Sequence, residues 1–229
     1  MQRRELVRTG LFGVAAAAAG AAHAAQDAAP AKKRLSENWD VVVVGAGFAG
    51  MCAALEAAEQ GAKTVLLEKM NRPDGATVYS SGWIAAVGSR FQKNHPEDSP
   101  KAFFEDMMRL SHQRSDPELI KVYAEESGAG IDWLADHGTP FYLWEGLPAP
   151  ELSRCLISPG EGITGGSKLI RCLMAALEKK GVAIHYNTKA VSLVKDECFN
   201  VEGVSCITPE GRKDYLARGG VILTTGGYG

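Results

Sequence analysis

Asp40-Val-Val-Val-Val-Gly-Ala-Gly-Phe-Ala-Gly50 is the stretch that decides the fold of this chain of 229 residues. Val41–Val44 is a β-branched apolar run, typical of a strand that is buried on both faces. Gly45, Gly47 and Gly50 follow it with the spacing G-x-G-x-x-G. In this motif the first glycine permits a tight turn, the second lets backbone approach a pyrophosphate, and the third lets the next helix pack on the strand. The stretch therefore predicts the start of a dinucleotide-binding βαβ unit.

The residues after the glycine turn complete this unit. Met51–Gln60 consists of good helix formers, and Gly61 is placed to end the helix. Thr64–Leu67 predicts a second buried strand, with Glu68 at its carboxyl end, where a carboxylate can accept hydrogen bonds from ribose hydroxyls. The N–H groups at the helix N-terminus would face the phosphates. An acidic residue here disfavours a 2′-phosphate and therefore NADP. A structural turn without a ligand is the alternative.

The composition indicates an ordinary globular protein. The formal net charge is −2 and 45% of the residues are apolar, so we expect no nucleic-acid partner. The five cysteines form neither a C-x-x-C pair nor a C-x-x-C-H motif. The sequence therefore predicts no zinc or iron–sulfur site and no covalently attached haem.

The first residues have the features of an export signal. Arg3 and Arg4 precede an apolar, alanine-rich run, Leu11–Ala22, and Ala22-His23-Ala24 fits a cleavage site, so residues 1–25 are assigned to a signal peptide. The run is too short and too rich in alanine for a stable membrane span, which is the alternative. The paired arginines predict the twin-arginine route, which carries folded proteins to the periplasm. Residues 26–38 are polar and predict a linker, so the domain would occupy residues 39–229.

Loops and helices follow the βαβ unit. Small residues and hydroxyls in Asn71–Gly88 indicate a loop laid against a ligand, with a solvated turn as the alternative. Helices are predicted at Ser99–His112 and Asp116–Gly138, because each begins with an N-cap residue followed by proline. Thr139–Ile163 is rich in Pro and Gly and predicts an irregular segment that could line a cleft.

The last part of the chain predicts one more helix, Lys168–Lys180, and then mostly strands. The strands are Val182–Tyr186 and a three-stranded antiparallel meander formed by Ala190–Val194, Val201–Thr208 and Lys213–Ala217. Gly220–Leu223 predicts another buried strand, after which an open α/β sheet needs a covering helix. No residues for one follow, so we expect an N-terminal fragment. The predicted fold class is α/β, with a Rossmann-like parallel sheet plus the meander.

Five motifs in a fixed order resemble a known family. They are Val41–Gly50 with Glu68-Lys69, the Ser80-Ser81-Gly82 loop, the Gly165-Gly166 helix start, Asn187-Thr188-Lys189, and Thr225-Gly226-Gly227-Tyr228-Gly229. Together they resemble the FAD-binding flavoproteins of the fumarate reductase and succinate dehydrogenase superfamily. The soluble periplasmic flavocytochrome c fumarate reductases are the most similar members. The resemblance runs from about Trp39 to Gly229 and implies FAD as the cofactor.

The resemblance also implies a set of cofactor-binding residues. The glycine turn would face the pyrophosphate, Glu68 the adenosine ribose, and Lys69 and the Ala190 backbone the adenine. The serine loop would approach the pyrophosphate and flavin, and the last glycines would pass the middle of the cofactor. The full set is Gly45, Ala46, Gly47, Ala49, Gly50, Glu68, Lys69, Gly75, Ala76, Thr77, Ser81, Gly82, Ala190, Thr225, Gly226 and Gly227.

The chain departs from the family pattern at two places. Asp74-Gly75-Ala76-Thr77 stands where the family usually has Gly-Gly-Asn-Ser, and Trp83 stands where a glycine is usual. An asparagine contact is therefore lost, and we expect Trp83 to crowd the flavin or redirect the substrate. The family's catalytic arginine, its substrate-clamping residues and its capping domain would follow Gly229. The haem domain is also missing, so electrons would come from a separate protein such as a c-type cytochrome.

The leading functional hypothesis is the FAD-binding part of an exported reductase that acts on the C=C bond of a small unsaturated acid such as fumarate. A 3-ketosteroid dehydrogenase-like flavoprotein and a non-catalytic truncated fragment are the alternatives. The sequence pattern does not indicate an acid–base pair among His112, His137 and Glu161. No catalytic residue is therefore assigned within the chain.

The paired arginines can be tested by changing both Arg3 and Arg4 to lysine. We expect the double variant to stay in the cytoplasm, because the twin-arginine route requires the arginine pair. Cell fractionation and immunoblotting measure the distribution, and Arg8→Lys is the matched control. Undiminished export of the double variant would exclude this route.

Overall fold

The computed structural model of the chain describes residues 35–93, 98–145, 154–160 and 163–227. The predicted signal peptide, most of the predicted linker and Glu161 lie outside these residues. The elements in chain order are β1 (Leu35–Val44), α1 (Phe48–Glu59), β2 (Thr64–Leu67), α2 (Ala76–Tyr79), β3 (Trp83–Ala85), a 3-10 turn (Arg90–Gln92), α3 (Pro100–Leu110), α4 (Pro117–Asp136), β4 (Tyr142–Leu143), β5 (Cys155–Ile157), α5 (Gly165–Lys180), β6 (Ala183–His185), β7 (Lys189–Lys195), β8 (Val201–Thr208) and β9 (Gly211–Leu223).

The main sheet has six strands in the order β6-β2-β1-β9-β8-β7. β6, β2 and β1 are parallel, and β7, β8 and β9 form the antiparallel meander. Both halves of the predicted α/β fold are therefore confirmed. β1 begins at Leu35, so the end of the predicted linker, Leu35–Asn38, belongs to a strand.

One strand joins the two halves of this sheet. The predicted strands Lys213–Ala217 and Gly220–Leu223 are both part of β9, which runs for 13 residues without a break. Gly219 lies directly against β1, since a Cβ there would come within 2.8 Å of the Asp40 carbonyl oxygen. The Thr224 N–H donates to the Val44 carbonyl oxygen at 2.9 Å. The end of β9 therefore runs parallel to β1, whereas its start is antiparallel to β8.

The two faces of the parallel strands contact different partners. Val43 and Leu66 pack in a core with residues of α1, α4 and α5. Val42 and Val65 pack in a second core with Val204 and other residues of the meander. β1 and β2 are thus buried on both faces, as the valine run predicted. The end of β9 differs from the prediction, because Ile222 and Leu223 are exposed.

A second sheet, with the order β3-β5-β4, was not predicted. Its strands are antiparallel and contain two or three residues each. They lie in the segments predicted as a binding loop and as irregular, because strands this short show no readable alternation. One face of this small sheet packs on the helical core through Ile84, Leu143 and Leu156.

The predicted helices are confirmed with small shifts of their ends. Ser99 and Asp116 cap α3 and α4 through their side chains, and proline follows each cap. α1 begins earlier than predicted, at Phe48. Gly181, in the left-handed conformation, ends α5. Not every apolar residue of these helices is covered, since Leu110, Leu119 and Val122 are exposed.

A buried arginine ties the small sheet to α3. Arg154 donates through two nitrogens to both carboxylate oxygens of Asp98, at 2.6 Å each. It also donates to Asp106 at 2.8 Å, and its guanidinium lies 4.9 Å from the centre of the Phe103 ring. Arg109 donates to the other Asp106 oxygen. This cluster could not be predicted from the sequence, because Arg154 and its acidic partners are far apart in the chain.

Replacing Arg154 with leucine should lower the free energy of unfolding by about 3–5 kcal/mol, since two acids lose a buried partner. The guanidinium of Arg109, and after it that of Arg154, holds the pKa of Asp106 below its usual range. Stabilisation from a depressed carboxyl pKa is present above the unfolded pKa and is lost as the pH falls through the folded pKa. The difference from wild type should therefore shrink on acidification.

Urea unfolding curves of the full-length protein between pH 7 and pH 3 measure this effect. Arg109→Leu is the matched control, because it removes the exposed partner of Asp106 and should cost about 1 kcal/mol or less. Equal losses in the two variants would contradict a special role for the buried arginine.

Candidate cofactor-binding site

The glycine turn between β1 and α1 is shaped by backbone contacts. Gly45 has a φ of +106°, and a Cβ there would lie 2.6 Å from the Thr224 carbonyl oxygen. A Cβ on Gly50 would lie 1.8 Å from the Gly45 carbonyl oxygen. A Cβ on Gly47, by contrast, would meet the Asp74 carbonyl oxygen at an ordinary 3.9 Å. The first and third glycines are thus required by packing, whereas a Cβ on Gly47 would make only an ordinary contact, so packing does not account for this glycine.

The N-terminus of α1 is available to an anion. Gly47 is the N-cap residue, and no side chain in the described part of the chain caps the helix. The first intrahelical bond is donated by the Met51 N–H to Gly47, so the N–H groups of the preceding turn have no helical acceptor. Such a terminus attracts phosphates through its N–H groups and its dipole. These features fit the pyrophosphate of a dinucleotide.

Glu68 connects three segments at this edge of the sheet. Its side chain is buried, with 6% of the residue exposed. The carboxylate accepts hydrogen bonds from the backbone N–H groups of Ala46 and Met70, at 2.8 Å each. Its own carbonyl oxygen accepts from the Thr188 N–H at 2.8 Å. A carboxylate has about four acceptor positions, so two remain for ribose hydroxyls. The predicted role of Glu68 is compatible with these bonds, and its structural role is additional.

The predicted adenine side lies next to Glu68. The Asn187 N–H donates to the Met70 carbonyl oxygen at 2.9 Å, which brings the segment before β7 beside Lys69. Ala190, in β7, is half-buried and pairs with Cys206 of β8. Lys69 is exposed. The structure therefore places Lys69 and Ala190 on segments that are bonded to each other.

Two residues that the sequence did not single out support this side. The Nδ1 atom of His185 lies 2.9 Å from the Tyr215 hydroxyl, between β6 and β9. Burial lowers the pKa of His185 and raises that of Tyr215. Both shifts favour the neutral forms of the pair, which joins β6 to β9.

Thr224 holds the last described segment against the glycine turn. Its hydroxyl donates to the Val44 carbonyl oxygen at 2.8 Å, with the Gly45 oxygen at 3.1 Å. Thr225, Gly226 and Gly227 follow and are exposed. The sequence predicted these three residues but not Thr224, because a threonine at the end of a strand does not by itself indicate a hydrogen bond to a distant residue.

The serine loop is fixed on the N-terminus of α5. Gly75 precedes α2, which contains Ala76 and Thr77, and the hydroxyls of Thr164 and Ser167 donate to the Val78 carbonyl oxygen. A Cβ on Gly82 would lie 2.5 Å from the Gly165 carbonyl carbon. Gly82 is therefore buried by this close packing, whereas Ser81 and Ala76 are exposed. That these residues bind a cofactor stays a prediction.

His137 bonds to residues of α1 and α4 and not to the glycine turn. The Nε2 atom of His137 is 3.0 Å from Glu59, and its Nδ1 atom is 2.7 Å from the Trp133 carbonyl oxygen. Burial alone would lower its pKa, but the hydrogen bond with Glu59 raises the pKa of His137 above its ordinary value. It links the ends of α1 and α4. In the described part of the chain, no group of three or more His, Cys, Asp or Glu side chains is placed to hold a metal ion.

Comparison with known proteins identifies related chains. A family described as FAD binding domain matches residues 40–229. A probable fumarate reductase from Shewanella frigidimarina is 32% identical over 195 residues, which are 85% of this chain and 33% of that protein. The chain thus spans about a third of the length of this relative.

Two solved structures resemble the fold closely. The open conformation of a flavocytochrome c3 fumarate reductase has a TM-score of 0.75 and 31% identity, and the match covers 92% of this chain and 36% of that one. A 3-ketosteroid-Δ4-(5α)-dehydrogenase from Rhodococcus jostii has a TM-score of 0.75 and 29% identity, with coverage of 88% and 48%.

The role of Glu68 can be tested with Glu68→Gln in the full-length protein. The amide can keep one backbone N–H bond but loses the negative charge. A hydrogen bond from a ribose hydroxyl to a charged carboxylate contributes about 1.5–3 kcal/mol. We expect the dissociation constant for FAD to rise about ten- to a hundredfold. Isothermal titration of the apoprotein measures it.

Glu56→Gln, on the exposed side of α1, is the matched control for this experiment. Thermal unfolding of both apoproteins separates the structural bonds of Glu68 from its cofactor contact. A lower melting temperature with unchanged FAD affinity would show that Glu68 serves the fold alone.

Proposed function

The chain belongs to the FAD binding domain family, and from this premise we propose that it forms the FAD-binding part of an exported reductase. The full-length protein would act on the C=C bond of a small unsaturated acid such as fumarate. The observation that carries the proposal is the convergence of three segments on the glycine turn. Glu68 bonds to Ala46, Thr224 bonds to Val44 and Gly45, and Asp74 lies opposite Gly47.

Each segment has a task in this proposal. The uncapped N-terminus of α1 would hold the pyrophosphate, and Glu68 would accept hydrogen bonds from the ribose. The Gly75–Gly82 loop, supported by α5, would shield the flavin from water on one side. FAD, when bound and reduced, supplies a hydride to an activated alkene. The proton donor and the groups that clamp the substrate would come from other parts of the full-length protein, because the described acids and bases at this edge serve the fold.

Export and electron supply are parts of the same proposal. The arginine pair and the Ala-His-Ala site support a periplasmic location. A separate electron donor, such as a c-type cytochrome, would reduce the flavin. None of the helices that the structure describes is long and apolar enough to cross a bilayer.

A second candidate function is dehydrogenation of a 3-ketosteroid. The steroid dehydrogenase and the flavocytochrome c3 fumarate reductase have the same TM-score, 0.75, against this chain. The fold alone therefore supports both functions equally. The sequence similarity to a probable fumarate reductase favours the reductase. A catalytically inactive product is the third candidate.

Purified full-length protein should be yellow and should release FAD on denaturation. It should oxidise reduced viologen dye when an unsaturated acid is added, and the Gly50→Val variant should lose both colour and activity because its side chain would collide with Gly45. Gly130→Ala, in open space on α4, is the matched control. Colourless protein that binds NADH would overturn the cofactor assignment, and desaturation of a steroid without alkene reduction would favour the second candidate.

A further inference from the structure

The small sheet turns a row of apolar side chains away from the core. The strand register places Trp83, Ile157 and Tyr142 opposite one another in one row. The next row, Ile84, Leu156 and Leu143, packs on the helical core, so the first row lies on the outward face. Trp83 and Tyr142 are 50% and 47% exposed, whereas Ile157 between them is only 7% exposed. The two aromatic residues therefore lie beside an isoleucine that is almost completely covered.

A third aromatic residue completes this face. The rings of Trp83 and Trp144 have their centres 4.6 Å apart and are tilted by 49°. Trp144 is fixed through its backbone, whose N–H donates to the Cys155 carbonyl oxygen at 2.9 Å. The rings are thus held by a strand ladder and by each other, which reduces the entropy lost when a ligand binds. We call Trp83, Tyr142, Trp144 and Ile157 the aromatic face.

The aromatic face is continuous with the serine loop. Trp83 follows Gly82 directly, and the Gly82 carbonyl oxygen accepts a hydrogen bond from the Ser158 N–H at 3.2 Å. Gly82 itself is held against Gly165. The position of Trp83 relative to the loop is therefore fixed by the fold. If the loop borders the flavin, the aromatic face borders the space in which the alkene must lie.

We propose that the aromatic face binds a planar conjugated ring of the substrate. The full-length enzyme would then reduce aryl-substituted unsaturated acids in preference to fumarate. Rings pack edge-to-face or offset against tryptophan and tyrosine, and this gives attraction beyond simple burial. Fumarate carries a carboxylate at both ends, and burying a charge against apolar rings is unfavourable. The inference rests on the proposed function, because it requires the flavin to lie beside Gly82.

The test uses the full-length FAD-loaded enzyme and two substrates, trans-cinnamate and fumarate. The wild type should have the higher kcat/KM with cinnamate. Trp83→Gly should lower that value about tenfold or more, as expected for the loss of one well-packed ring, and should change the value for fumarate much less. Trp144→Ala should act in the same direction. Phe199→Ala, at an exposed turn between β7 and β8, is the matched control and should change neither value.

Binding is measured separately from turnover. The saturated acid 3-phenylpropanoate should quench the tryptophan fluorescence of the wild type, and succinate should not. Trp83→Leu, which keeps apolar bulk at the strand, should remain folded and lose most of the quenching. A loss of kcat/KM that is equal for both substrates, or a wild type that prefers fumarate and shows no quenching, would overturn the inference.

Failure of the proposed function gives a different result. In that case neither acid is reduced and no flavin is bound, whatever residue stands at position 83. A yellow protein that reduces fumarate alone would keep the proposed function and reject the aromatic substrate.

Discussion

The hydrogen bonds to the carboxylate of Glu68 hold together the edge of the main sheet at which the glycine turn lies. One oxygen accepts the N–H of Ala46 in the glycine turn, and the other accepts the N–H of Met70 beyond β2. The residue also donates and accepts through its backbone, to His185 and from Thr188. A buried carboxylate is costly unless such donors surround it. The glycine turn is therefore held to β2 through one carboxylate, and the adjacent N-terminus of α1 remains without a side-chain cap in the described part of the chain.

Much of the fold could be predicted from local sequence. The valine run, the glycine spacing, the proline after each helix cap and the alternation of the meander act over a few residues, and the structure confirms the elements that they predict. The small sheet escaped prediction because β4 has only two residues and shows no period. The continuity of β9 across two predicted strands also escaped prediction, since Gly219-Gly220 has the composition of a break, although Gly219 packs against β1.

The candidate site also contains residues that the sequence predicts and residues that only the structure reveals. The glycine turn and Glu68 follow from motif spacing, and the structure joins them through the bond from Ala46 to Glu68, with Thr224, just before the predicted Thr225–Gly227 segment, bonded to the turn. The Thr224 anchor, the His185–Tyr215 pair and the bond from Thr188 to Glu68 could not be predicted from the sequence, because they are hydrogen bonds between distant parts of the chain. The Arg154 cluster is a further example, with partners 56 and 48 residues away. Sequence patterns reveal periodic and local constraints, whereas tertiary polar contacts become visible only in coordinates.

The hydroxyl of Thr224 bonds to Val44 across 180 residues of sequence. During synthesis, β1 leaves the ribosome long before the strand that lies beside it exists. Until then, Val41–Val44 of β1 have no strand on one side. An unpaired hydrophobic strand is prone to association with other chains. The glycine turn can take its described form only after residue 224 has been synthesised. Until that residue is present, the unpaired edge of β1 is a site at which incompletely folded chains can aggregate.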